Sequence, residues 1–134
     1  MARQEAHESG VSGITFDTGA LIGLERHAQR ISHRYKTALA DGVWVTVPSV
    51  VIAEWWHGRT DVRERILGAV RIEQTDTALM KTAGQAMAVV RGAMIVDTIV
   101  MASAARRGDV VYTSDFDDLD RLTTFFKSVR VLRC

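Results

Sequence analysis

Short apolar runs rich in β-branched residues recur along this chain at 14–17, 43–47, 70–73, 110–113 and 129–132. Each has the length of a strand, and longer stretches with helical spacing separate them. Alternating elements of this kind predict a parallel sheet in an α/β fold. The helical stretches lie at 18–25, 28–39 (after a break near His27), 49–57, 61–69, 77–90, 94–107 and 117–126. Pro48 ends the second run, because proline cannot continue a central strand. Gly42, Gly92 and Gly108 fall near predicted helix ends, where a left-handed turn is required.

The 134 residues carry 47% hydrophobic and 25% charged side chains, which suits one core of ordinary size. No repeat, low-complexity segment or linker divides the chain. One domain is expected over residues 13–134, behind a flexible polar N-terminal tail at 1–12. That tail has no apolar centre and does not read as a secretory signal. The longest apolar stretches, 43–56 and 93–105, are interrupted by Pro48 and Glu54 or by Asp97, and fall short of the roughly 18 residues of a membrane span. Cys134 is the single cysteine and cannot form an internal disulfide, so a cytoplasmic location is expected.

Four acids interrupt this pattern where structure alone does not call for them. In open parallel sheets, sites form at the carboxyl ends of the strands. Asp17 ends the first run in ITFDTGAL and Asp115 follows the fourth in VVYTSDFDDL, although each could also cap the following helix. Glu54 sits among apolar residues in VPSVVIAEWW, and Asp97 lies on the apolar stripe of AMIVDTIVMASAA, with Val100, Met101 and Ala104 as its helical neighbours. An ion pair is the structural alternative for Asp97. Carboxylates that converge without bases repel one another and call for a cation. Hard oxygen donors suit Mg²⁺ or Mn²⁺, which can activate water for attack on a phosphodiester. No cysteine or histidine spacing offers a zinc site. His7, His27 and His33 read as surface residues, and His57 could border the acids.

This set of segments resembles the PIN-domain family, in particular the VapC-type toxins of bacterial toxin–antitoxin pairs. ITFDTGALIGLE, VPSVVIAEWW, the helix bearing Asp97 and VVYTSDFDDL carry the likeness, which runs from about residue 14 to 132. The resemblance implies a five-stranded parallel sheet flanked by helices in three α/β/α layers. It implies catalytic roles for Asp17, Glu54, Asp97, Asp115 and an outer Asp117, with Asp17, Asp97 and Asp115 as metal ligands. Asp118 is the alternative to Asp117, and Thr113 and Ser114 match the polar pair before the late aspartate. It also implies a Mg²⁺-dependent endoribonuclease that hydrolyses RNA, forms homodimers and is held inactive by a VapB-type antitoxin. The alternative within the family is an RNA-processing nuclease or a weakly catalytic RNA-binding module.

Two unrelated folds with strand-end aspartates fit poorly. A receiver domain needs adjacent acids after the first strand, and a haloacid-dehalogenase-type phosphatase needs an Asp at position 19, which is Gly. The formal charge is +1, but with five carboxylates gathered in one site the remaining residues carry 17 bases against 11 acids. A basic exterior suits a polyanion. Arg26, Arg30 and Arg34 could form a ridge for RNA or a solvated helix face, and Arg106 and Arg107 read as cations closing a helix. Trp55 and Trp56 belong to a helix with too wide an apolar arc for one sheet face, so one of them is expected either at an interface or beneath the N-terminal helices.

Overall fold

The structure is a computed structural model that describes residues 13–134. The tail expected at 1–12 lies outside the described residues. Among the described residues, five strands form one sheet: β1 (Ile14–Phe16), β2 (Val45–Pro48), β3 (Arg71–Glu73), β4 (Val110–Thr113) and β5 (Arg130–Arg133). Their order is β3-β2-β1-β4-β5 and every pairing is parallel. The chain builds outward from β1 to one side through β2 and β3, then crosses back to place β4 on the other side. The reversal lies between β1 and β4, and a crevice opens at the carboxyl ends of strands at such a point.

Among the described residues, seven helices surround the sheet: α1 (Thr18–Glu25), α2 (Gln29–Ala40), α3 (Ser49–Trp55), α4 (Asp61–Ala69), α5 (Thr77–Val89), α6 (Ile95–Arg107) and α7 (Phe116–Asp120). One sheet face carries Phe16, which meets Tyr35 of α2 and Tyr112 of β4 as aromatic neighbours. The other face is covered by α6, which packs on β1, β2 and β4 and is backed by α5. The result is the expected three layers. α6 is the most enclosed helix, with Thr98–Ala104 all buried, and this holds Asp97 at a fixed height above the strand ends.

The break near His27 is real, since this residue takes a left-handed conformation (φ 59°) between α1 and α2. Gly108 does the same at the end of α6 (φ 74°), as its position after the last apolar residue predicts. Pro48 closes β2 and leads directly into α3. The expected helix at 117–126 is instead the short α7 followed by a 3₁₀ turn, Arg121–Thr124. There the hydroxyls of Thr123 and Thr124 donate to the carbonyls of Asp120 and Arg121, three residues back, and such bonds compete with helical ones.

Trp55 is buried, with its Nε1 donating to Glu25 Oε1 of α1 at 3.0 Å. It therefore takes the burial alternative beneath the N-terminal helices, and the half-buried Trp56 meets it edge-on. Arg106 and Arg107 are more than terminal cations. Arg106 makes a two-pronged contact with Asp76 at 2.8 Å. Arg107 lies almost wholly inside, paired with Glu73 at 2.5 Å and with Asp109 at 2.9 Å. Its guanidinium also donates to Ser103 and Thr15, so Glu73 and Asp109 share one buried positive charge outside the cleft acids. Among the described residues, no helix is long and apolar enough to cross a membrane.

Candidate active site

The loops after β1 and β4, the start of α6 and the end of α3 meet at the crevice beside the sheet reversal. They enclose a cleft of about 290 Å³ lined by Asp17, Glu54, Asp97, Asp115 and Asp118, with Thr18, Met94 and Ile95 at its walls. Among the described residues, no lysine, arginine or histidine lines it. Four of the five expected acids are thus brought together.

Asp17 follows β1 because the strand ends as α1 begins. Its carboxylate caps α1, with Oδ1 accepting the Ala20 amide at 2.8 Å. Capping and site membership are therefore compatible here. Oδ2 accepts a short hydrogen bond from the Thr113 hydroxyl, and the same Thr113 oxygen accepts the Asp115 amide at 2.8 Å. Thr113 joins the ends of β1 and β4 and fixes the two acids relative to each other. Asp115 occupies the N-cap position of α7 without making a side-chain cap bond, so its carboxylate is not committed to the helix. Asp97 lies in the first turn of α6, where the amide ends of the helix favour negative charge.

Glu54 differs from its expected setting. It is exposed, because α3 buries Val51 and Trp55 on one side and leaves Glu54 facing α1 and the cleft. Its Oε1 accepts the Thr18 hydroxyl at 2.5 Å. Nothing in the sequence singles out Thr18 other than its place after Asp17. Asp117 is not among the cleft residues; its side chain is 90% exposed and lies 3.9 Å from Arg133. Asp118 lines the cleft instead, with Arg121 at 3.6 Å on its outer side. Gly19 permits this crowding: a Cβ there would stand 1.9 Å from the Ser114 hydroxyl oxygen. His27, His33 and His57 are exposed and outside the cleft, while His7 lies outside the described residues.

The electrostatics follow from this enclosure. Burial pushes the Asp17 carboxyl up to about 6, against the hydrogen bonds from Thr113 and Ala20, with the Asp115 charge adding to the rise. Burial also raises Asp97 to about 6, aided by the charges of Asp17, Asp115, Asp118 and Glu54. Both shifts come first from burial, and the neighbouring carboxylate charges add to them. The Cys134 thiol is pushed up to about 12 by burial first and by Asp17 second, which favours its neutral form.

A hard divalent cation fits this site by charge and donor chemistry. Oxygen donors from several carboxylates and no competing base are what Mg²⁺ or Mn²⁺ requires. Among the described residues, no three such side chains form a finished ligand cluster. The fit thus rests on donor type and uncompensated charge, consistent with ions that keep several waters and take few protein ligands.

No family profile and no curated protein sequence matches the chain. Solved structures do. DNA-bound VapBC from Salmonella typhimurium has a TM-score of 0.69 and 18% identity, over 91% of this chain and 98% of that one. VapBC2 from Rickettsia felis, bound to a promoter DNA fragment, gives 0.73 and 12% over 90% and 98%. FitAB bound to a DNA fragment gives 0.67 and 18% over 90% and 94%. Likenesses at this identity speak to the fold. The chain has the PIN-like fold of VapC-type proteins.

Proposed function

We propose that this chain is a metal-dependent endoribonuclease acting as the toxin of a toxin–antitoxin pair. The observation that carries the reading is the cleft at the sheet reversal, where five carboxylates gather with no base among the described lining residues. Asp17, Asp97 and Asp115 would hold Mg²⁺ or Mn²⁺, with Glu54 and Asp118 as outer charges. The bound ion would activate water and stabilise charge on the phosphate oxygens.

The chain's own groups set the geometry. Thr113 orients Asp17 and Asp115 together, and the Ala20 amide fixes the other Asp17 oxygen. Thr18 holds Glu54 at the mouth. Exposed Met94 and Ile95 form an apolar wall beside the acids, which limits water on that side. Likeness to chains in VapBC and FitAB complexes supports a VapB-type antitoxin as partner, and a homodimer is the proposed assembly.

The test is hydrolysis of a single-stranded RNA by the purified chain in Mg²⁺, in Mn²⁺ and in EDTA. Cleavage should occur with either ion, stop in EDTA and return when the ion is restored. Cleavage that persists in EDTA would refute the metal-dependent reading. Intact RNA under all conditions, from a folded chain freed of antitoxin, would refute the nuclease reading.

A further inference from the structure

A second groove lies on the sheet face that carries Phe16 and Tyr112. There α2 packs against β2, and Arg34 of α2 borders an opening over β4 and β5. Tyr112 and Leu132 form its floor. Arg30 and Arg34 stand along one wall, with the Arg34 guanidinium 5.7 Å from the centre of the Tyr112 ring. Arg130 and Arg133 stand on the β5 side. The Arg133 guanidinium lies 4.2 Å above the ring of Phe116, the residue immediately after Asp115.

The charge here is one-sided. α2 reads QRISHRYKTALA and contains no carboxylate. Arg30, Arg34 and Arg130 make no ion pair with any described carboxylate; Arg133 meets only the exposed Asp117 at 3.9 Å. Asp41 borders the far end. The opposite end reaches Phe116 and Arg133 beside the carboxylate cleft, so an extended polyanion in the groove would run toward the proposed site of cleavage. Arg30 and Arg34 are one helical turn apart, which places two guanidinium groups on the same wall. Between the arginine rows lies an apolar and aromatic strip, with a guanidinium–aromatic stack at its cleft end. Phosphates held by arginines with bases resting on apolar and aromatic surfaces is the way single-stranded nucleic acid binds.

We infer that this groove is the track that delivers single-stranded RNA to the carboxylate cleft, with Arg30, Arg34 and Arg130 on phosphates and the Phe116–Arg133 stack against a base. The inference rests on the nuclease reading, and binding can be measured apart from cleavage. The experiment is fluorescence anisotropy of a labelled mixed-sequence single-stranded RNA with the full chain in EDTA, across a salt series. The double variant Arg30→Gln/Arg34→Gln should weaken binding by about tenfold or more and reduce the salt slope by about 1.4, the value for two lost single-strand phosphate contacts. Arg30→Gln alone should give about half that slope change, and it serves if the double variant melts early. The control Lys81→Gln/Arg91→Gln, on exposed positions elsewhere, should bind as the parent does. In Mg²⁺ the groove variants should raise KM and leave kcat unchanged.

Unchanged affinity and slope in the folded groove variants would overturn the track. So would tighter binding of a poly-glutamate peptide than of RNA, which would mark the groove as a protein-docking surface. RNA that binds through these arginines yet survives in Mg²⁺ would leave the track standing and refute the nuclease. RNA at concentrations below KM that is cut equally well by parent and groove variants would do the reverse.

Discussion

Thr113 is the residue on which two site acids depend, since its buried hydroxyl serves Asp17 on one side and the Asp115 amide on the other. Thr113→Val keeps the volume but strands a buried carboxylate and an amide, which costs about 1–3 kcal/mol of stability. RNA cleavage should fall as well, and Thr113→Ser should restore both; denaturant titration and a cleavage assay read the pair. At the outer edge of the site the two neighbouring aspartates should separate. Asp118→Asn should lower cleavage about tenfold, or roughly 1.4 kcal/mol of transition-state stabilisation, whereas Asp117→Asn should leave it unchanged. Asp97 was legible as a site candidate because charge on an apolar stripe has little structural explanation, whereas Asp17 and Asp115 stood out by their place at strand ends, where helix capping explains an aspartate equally well. The choice between Asp117 and Asp118 was not, because it depends on how α7 turns as it leaves β4. Glu54 was picked out for a reason that does not hold: its apolar neighbours Ile52 and Trp56 are themselves only half covered, so the acid needs no burial to sit among them.

Among the elements, α6 does most to place the chemistry, and what anchors it is the buried ion network at its far end. Arg107 holds Glu73 of β3 and Asp109 before β4 in one cluster with Ser103 and Thr15. Arg107→Met should cost about 3–5 kcal/mol by leaving two enclosed carboxylates unpaired, and thermal unfolding followed by circular dichroism would show it. Arg106→Met, which removes a solvent-facing pair with Asp76, should change the melting temperature little. The strands and most helices could be read from periodicity, because β-branched runs and apolar stripes report burial directly. The Arg107 cluster could not, since its members lie far apart in sequence and only the parallel register brings β1, β3 and β4 into range of α6. The split of the last predicted helix escaped for a similar reason. Its threonine hydroxyls favour local carbonyls, a choice that helical spacing does not reveal.

For the whole molecule, the order β3-β2-β1-β4-β5 turns strand-end acids into one site. Without a cation, that convergence works against the fold. Asp17 and Asp97 are raised from 3.8 to about 6 in the folded chain, so the native state holds their protons more tightly than the unfolded state does. Their contribution to stability is present at low pH and is lost as pH rises through about 6. In EDTA the chain should therefore melt higher at about pH 5 than at about pH 7.5 if these two groups dominate, and a scan at each pH measures it. Mg²⁺ should offset the loss at the higher pH. A ligand specific to the native state stabilises by about 2.7 kcal/mol at a hundredfold excess over its dissociation constant, several degrees for a domain of this size.

The carboxylate cleft as a cation site is tested most directly by melting the parent and Asp97→Asn at neutral pH, each in EDTA and in Mg²⁺. Removing one of the clustered charges should raise the melting temperature in EDTA and shrink the gain from Mg²⁺. If the variant instead melts lower in EDTA and gains as much from Mg²⁺ as the parent, Asp97 stabilises the fold as a structural charge and the proposed metal site is wrong.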